Sequence, residues 1–324
     1  MTGTGKPRLL ILTGATATGK SAFLYREMAA MPVSVINADS RQVYRKLRIS
    51  SAGPSDAEMQ IFPHYLFHFQ REQDLFSAGE YCRLAEDALR ETVTQSKIPV
   101  LCGGTYFYIQ SLLNGLLPPI EISKATEERV SAMSPPQAYA LLSELDPVAA
   151  TKVHANNIHR VQRALSVCLE TGRPMSQIER IPGIRDDYQI RMLIFQTPRE
   201  SLAGRIAARI DAMFAAGLVA EVAGVMEDLA QFGDSAAWRQ VPALTGIGVR
   251  EFFEARESGA GAPPDLSHEA LQQIREQIIQ NTLGLVKRQL TWFRNAPAKP
   301  ADTKTVDPAY ENERIAALVK EFLS

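Results

Sequence analysis

The sequence predicts an α/β fold: a P-loop-containing parallel sheet with helices on both faces and an inserted helical domain. Three observations predict it. Short apolar runs alternate with segments of helical periodicity, which is the signature of βαβ units. The first run feeds directly into Gly14-Ala-Thr-Ala-Thr-Gly19-Lys20-Ser21, a match to the phosphate-binding pattern G-x-x-x-x-G-K-[ST]. A long stretch in mid-chain carries helical signals only.

The elements follow in order. Arg8–Thr13 is a buried strand running into the glycine loop, and Ser21–Met31 reads as the helix after it. Val33–Asn37 is a second strand, ending at Ala38-Asp39-Ser40-Arg41-Gln42. Ser77–Thr94 brings Tyr81, Leu84, Ala88 and Leu89 to near-helical spacing and supplies a crossover helix. Ile98–Cys102 is a third strand, followed by Gly103-Gly104-Thr105, and Tyr188–Gln196 is a fourth. Between the last two, Leu117-Pro118-Pro119 breaks the chain. Helices then read over Gln137–Leu145, behind Ser134-Pro-Pro, and over Asn157–Thr171, ended by Gly172-Arg173-Pro174. Residues 1–122 and 186–324 are therefore expected to form the catalytic core, with 123–185 as the helical insertion. Arg199–Phe214 is a later helix, Glu257–Ser267 a flexible connection, and Gln272–Asn295 a long closing helix.

Composition bounds the function more loosely. Hydrophobic residues at 45% and charged residues at 22% are ordinary for a soluble globular protein. No apolar run is long enough to span a bilayer, and Met1-Thr-Gly-Thr-Gly-Lys carries no cleavage signal. A cytoplasmic monomer is expected. Lys plus Arg number 35 against 36 Asp plus Glu, so any nucleic-acid partner must be argued from local clusters. Cys82, Cys102 and Cys168 lack the spacing of a zinc site or disulfide framework.

The glycine loop carries the strongest chemistry. Backbone N–H groups of Gly14, Ala15, Thr16, Ala17, Thr18 and Gly19, with the helix N-terminus behind them, make an anion cradle. Lys20 adds a point charge, and Ser21 is placed to ligate Mg²⁺. Nucleotide tails and isolated diphosphates offer similar oxygens, so the pattern alone leaves ATP and other phosphates open. A lone Asp39 would read as a loop cap. Beside a phosphate loop, within the polar cluster Ser40-Arg41-Gln42, it reads instead as a base or a metal-holding group. Gly103-Gly104 lets backbone approach a ligand, with the Thr105 hydroxyl aimed at it. Loop, Asp39 and Thr105 all follow strand ends, where open α/β sheets bind ligands.

Weaker candidates surround these. On Asn157–Thr171 an apolar stripe of Ile158, Val161, Leu165 and Leu169 leaves His159, Arg160, Gln162 and Arg163 on other faces. Those side chains suit either a solvated face or a grip on phosphates and base edges. Arg205 and Arg209 stand four apart on a helix, and one of them is expected to reach the phosphate cleft. His64 and His68 lack neighbouring ligands and read as structural.

Taken together these residues resemble the tRNA dimethylallyltransferase (tRNA isopentenyltransferase) family. The resemblance rests on Gly14–Ser21, Asp39-Ser-Arg-Gln-Val-Tyr44, Pro99–Thr105, "LDPVAA" at 145–150, "RALSVCLETGRPMS" at 163–176, "GLVAEV" at 217–222 and "KRQLTWFR" at 287–294. It implies that the loop, with Mg²⁺ and Arg205, holds the diphosphate of dimethylallyl diphosphate, which departs as leaving group. It implies Asp39 as base and Thr105 as its helper toward N6 of the adenosine at tRNA position 37. Asp39, Ser40, Arg41 and Gln42, with Arg129 and His159, Arg160, Val161, Gln162 and Arg163, match positions that contact the tRNA anticodon stem-loop.

The chain departs from the family pattern at four places. Gly53 stands where a Lys is usual, Thr245 and Val249 where an Arg and a Tyr are usual, and Leu283 where an Arg is usual. Three rival readings remain at this stage: a prenyltransferase acting on free adenine nucleotides, a small-molecule P-loop kinase, and an RNA-binding module without chemistry. A basic insertion and a closing helix are more than a mononucleotide needs, and nothing marks a phosphoryl acceptor.

Overall fold

The computed structural model describes residues 5–230, 237–295 and 299–324. The opening residues 1–4, read above as a lead-in without a cleavage signal, lie outside the described residues.

The first run, RLLILTG, forms β1 (Arg8–Gly14), whose residues from Leu9 onward are all buried. Helix α1 spans Lys20–Glu27 and ends four residues short of the expected Met31, with Met28 already off helical backbone at φ −113° and ψ 1°. Then come β2 (Val33–Asn37), the single turn α2 (Asp56–Met59), β3 (His64–Tyr65), α3 (Ala78–Thr94), β4 (Ile98–Gly103) and α4 (Tyr106–Asn114). Ser77 caps α3 by accepting the Glu80 N–H. The insertion supplies α5 (Lys124–Ser131), α6 (Pro135–Leu145), α7 (Pro147–Lys152) and α8 (Ile158–Thr171). The chain returns through β5 (Gln189–Phe195), α9 (Arg199–Ala215), α10 (Leu218–Ala230), α11 (Arg250–Glu257), α12 (His268–Asn295), β6 (Asp302–Val306) and α13 (Asn312–Leu323).

The strands form one parallel six-stranded sheet in the order β3-β2-β4-β1-β5-β6. Four of the six are the expected strands; β3 and β6 are additional edges. Alternation along β1 sends Leu10 and Leu12 to one face, where α1 and α13 cover them with Phe23, Leu24, Ile315, Val319 and Phe322. On the other face α3 packs against β2 and β4. A further apolar cluster joins α9, α10, α11 and α12 through Ile206, Val222, Phe252 and Ile274. Because β1 is flanked by β4 on one side and β5 on the other, the glycine loop emerges where the chain's path across the sheet reverses. Ligands bind such sheets at that switch point.

The chain divides into two compact units, residues 1–113 with 184–324, and residues 114–183. The smaller unit has its own core, including Val130, Leu142, Val161, Leu165 and Cys168. Its ends meet in an antiparallel bridge between Leu116 and Ile181. Asp146 caps α7 through the Ala149 N–H at 2.9 Å and also accepts the Ser176 N–H at 2.7 Å.

Candidate active site

The site stands at the carboxyl ends of β1, β2 and β4. Gly14 has φ 146°, and a Cβ there would lie 2.3 Å from the Phe195 carbonyl oxygen. Only glycine lets β1 enter the loop so close to β5. Gly19, at φ 92°, begins α1. The Thr18 hydroxyl donates to the Ala15 carbonyl at 2.8 Å, and Lys20 Nζ donates to the carbonyls of Gly14 at 2.9 Å and Ala15 at 2.6 Å. Burial pushes the Lys20 ammonium down to about 8, against the opposing pull of Cys102 and Asp39 and with the help of Arg209.

The tip of β2 is pinned by Asn37, fully buried, whose Oδ1 accepts the Asp39 N–H at 2.8 Å. Its Nδ2 donates to the carbonyls of Asp39 and Leu66, both at 2.9 Å. The tip of β4 lies against it. A Cβ at Gly103 would lie 2.2 Å from the Ala38 carbonyl oxygen, and the Thr105 N–H donates to that oxygen at 3.0 Å. The Thr105 hydroxyl accepts the Ser40 N–H at 2.9 Å and donates to Ser40 Oγ at 3.3 Å.

Two neighbouring chambers open from these tips. The larger, about 510 Å³, is lined by Asp39, Ser40, Arg41 and Thr105, with Tyr106, Phe107, Arg250, Arg288 and Trp292. The smaller, about 400 Å³, is lined by Gly19, Lys20, Ser21, Gln42 and Arg205. Thr16, Asp39, Gly104, Arg209 and Gln289 line both. The sequence candidates of the loop and the two strand tips thus share one cleft.

Several expectations change in detail. The Thr16 N–H donates to Gln289 Oε1 at 3.0 Å, so this amide holds the closing helix. The Ala15 side chain lies in the apolar core, and its backbone carbonyl serves Lys20 and Thr18. Arg205 is exposed at the rim, 3.4 Å from the Thr197 hydroxyl. Arg209, one turn on, reaches the loop and donates to Thr16 Oγ1. Its burial lowers the guanidinium pKa, against the pull of Asp39. Gln42 Nε2 donates to the carbonyls of Ser51 and Ala52, and the Arg41 guanidinium to that of Pro242.

In the smaller unit Asn157 caps α8, and Arg129, His159, Arg160 and Arg163 are exposed, with Gln162 half-buried. Val161 is a correction. At 1% exposure it belongs to that unit's core, so its side chain is not offered to RNA. Ile158, expected on the apolar stripe, is instead 41% exposed in the first turn. His64 stays structural, between Tyr25 and Phe62.

The four departures from the family pattern also have local reasons. A Cβ at Gly53 would lie 2.4 Å from the His68 ring. Thr245 donates its hydroxyl to the Pro242 carbonyl at 2.9 Å. Val249 is buried, and Leu283 packs against the same apolar cluster.

Residues 42–296 match the model of the IPP transferase family, a span that begins beyond the phosphate loop and Asp39. The chain belongs to this family. A tRNA dimethylallyltransferase of Xanthomonas oryzae pv. oryzae (strain MAFF 311018) is 34% identical over 98% of this chain and 95% of its own length. That of Geobacter sulfurreducens is 35% identical over 90% of this chain and 91% of its own. Among solved structures, the full-length tRNA isopentenylpyrophosphate transferase of Bacillus halodurans superposes with a TM-score of 0.65. It is 27% identical, covering 98% of this chain and 97% of that one. A eukaryotic dimethylallyltransferase acting on tRNA reaches 0.82 at 22% identity, covering 98% and 79%, and shares the fold.

Ser21, the second residue of α1, lines the smaller chamber, while no group of three or more His, Cys, Asp or Glu among the described residues is placed to hold a metal. One hydroxyl beside a phosphate cradle suits Mg²⁺, which commonly takes one or two protein ligands and fills its shell with phosphate oxygens and water.

Proposed function

We propose that this member of the family transfers the dimethylallyl group of dimethylallyl diphosphate to N6 of the adenosine at tRNA position 37, releasing diphosphate. The observation that carries this reading is the pair of chambers with a shared wall. One side offers a phosphate cradle with Lys20, and the other offers Asp39 and Thr105 at the mouth of a larger space. The curated relatives named as tRNA dimethylallyltransferases support it.

The chemistry divides along the same wall. The bond between the allylic carbon and the diphosphate oxygen breaks, and a bond from that carbon to N6 forms. Negative charge grows on the departing diphosphate, where Lys20, loop amides, Arg209 and Arg205 stabilise it. Mg²⁺, when bound through Ser21 and the diphosphate, would supply further charge neutralisation. N6 becomes acidic as it alkylates, and Asp39 takes its proton, with Thr105 holding the β2 tip in register. The adenine must leave its stack to reach this depth, and the larger chamber has the volume and aromatic lining to receive it.

Ser40, Arg41 and Gln42 are proposed to meet the RNA near the acceptor base. Arg129, His159, Arg160, Gln162 and Arg163 are proposed to grip the stem-loop from the insertion. It is proposed to work as a monomer in the cytoplasm, where tRNA is available to it. No helix of the described residues is long and apolar enough to cross a membrane.

The test uses purified protein, Mg²⁺, dimethylallyl diphosphate and an unmodified anticodon stem-loop, with ATP omitted and AMP offered as a competing acceptor. Prenylated RNA and untouched AMP are expected. Strict dependence on ATP would turn the reading toward a kinase, efficient prenylation of AMP toward a nucleotide enzyme, and tight RNA binding without product toward a binding module.

A further inference from the structure

Gln289 lies on α12, remote in sequence from every strand tip, yet its amide is engaged at both ends inside the site. Oε1 accepts the Thr16 N–H at 3.0 Å, and Nε2 donates to the Gly104 carbonyl at 3.1 Å. One side chain therefore ties the phosphate loop after β1 to the turn after β4. It is also one of the residues that line both chambers. The fit is close: a Cβ at Gly104 would lie 2.8 Å from Gln289 Nε2 and 3.8 Å from Asp39 Oδ2. Gly104 has no positive φ that would demand glycine, but an added Cβ would meet the end of the Gln289 side chain and make it shift.

We propose that Gln289 is a positioning residue that bridges the seam between the two chambers and keeps prenyl transfer coupled to the nucleic-acid acceptor. The inference rests on the proposed function. An allylic cation-like centre reacts with whichever nucleophile is in line. If the loop and the β4 turn part, water from the larger chamber attacks the allylic carbon. That gives the prenyl alcohol, a proton released to solvent, and diphosphate, with no change in the RNA. With the amide in place the two walls hold their spacing, and the cleft admits the acceptor base ahead of water.

The experiment measures released diphosphate and prenylated RNA separately, with full-length protein, dimethylallyl diphosphate and an unmodified anticodon stem-loop. The wild type should release one diphosphate per prenyl group incorporated. Gln289→Leu keeps the volume and loses both hydrogen bonds. Two bonds of ordinary strength correspond to a shift of about tenfold in the ratio of diphosphate to product. Gln289→Glu keeps the acceptor for Thr16 and loses the donor to Gly104, so it should leak to a lesser degree. Gly104→Ala leaves Gln289 intact but displaces it, and should leak likewise. A merely structural role would lower the melting temperature or kcat and leave the ratio at one. That outcome in Gln289→Leu and Gly104→Ala, with a coupled wild type, overturns the inference and leaves the proposed function standing. A wild type that releases no diphosphate and makes no prenylated RNA overturns the proposed function itself. Gly104→Ala and Gln289→Glu carry the test if Gln289→Leu does not fold.

Discussion

Asp39 Oδ1 accepts the backbone N–H of Arg41 at 2.9 Å, which turns the chain at the β2 tip and fixes the carboxylate in place. The second oxygen faces Gly104, where the two chambers meet. Asp39→Asn keeps an oxygen for the Arg41 N–H, so the tip should hold its shape while the base is lost. General-base contributions are commonly about 10²–10⁴-fold, and kcat should fall within that range with little change in the apparent affinity for either substrate. Labelled prenyl incorporation into tRNA checks this. An unchanged kcat would reduce Asp39 to a loop cap.

Lys20 sets a pH dependence. Its folded pKa of about 8 lies below the ordinary 10.5, chiefly through burial. As pH rises through about 8 the ammonium loses its proton, and the attraction proposed for the diphosphate should go with it. KM for dimethylallyl diphosphate should then climb toward about tenfold per pH unit, while Lys20→Arg should flatten that rise. Stability takes the opposite sign. Between about 8 and 10.5 the unfolded chain still holds the proton that the folded chain has released, so this group's contribution to stability increases with pH. Steady-state KM measured across pH 8 reads the first effect, and a KM that stays level in the wild type would remove Lys20 from diphosphate binding.

On α8 the neighbours Val161 and Arg163 separate two roles. Arg160→Ala with Arg163→Ala should weaken tRNA binding and lower the log–log salt slope by roughly 0.7–0.9 for each RNA phosphate that is no longer neutralised. Val161→Ala should leave the slope alone and cost about 2 kcal/mol of stability, because it empties volume in the core of the smaller unit. Filter binding at several salt concentrations, with thermal unfolding in parallel, distinguishes them. An unaltered slope in the double variant would leave this helix an ordinary solvated face.

The legible parts of the fold were those built from local pattern. β1, β2, β4 and β5 are apolar runs because most of their residues are buried. β3 has only two residues, and β6 reads DTKTV, half-exposed at the sheet edge. What holds β6 is pairing with β5 and the ion pair of Arg191 with Asp302 at 2.5 Å, neither of which leaves a trace in local periodicity. The same holds within the site. Lys20 and Thr105 announce themselves by following glycines after strands, and Asp39 by heading the polar cluster Ser40-Arg41-Gln42 at the end of one. Gln289 joins them only through hydrogen bonds that span 273 and 185 residues of sequence, so its role was invisible although "KRQLTWFR" marked the segment. Arg209 and Arg205 differ by one helical turn, and only packing decided which of them reaches Thr16.

The cleft is proposed to alkylate one exocyclic nitrogen of an RNA adenosine with a five-carbon allylic group. The most direct measurement is nucleoside mass analysis of an unmodified tRNA after incubation with the protein, Mg²⁺ and dimethylallyl diphosphate alone. A gain of one dimethylallyl group on the adenosine at position 37 is expected, with fragmentation placing it on N6. A tRNA carrying guanosine at that position should gain nothing. Unmodified adenosine throughout, or a prenyl group on the guanosine-substituted tRNA, would contradict the account.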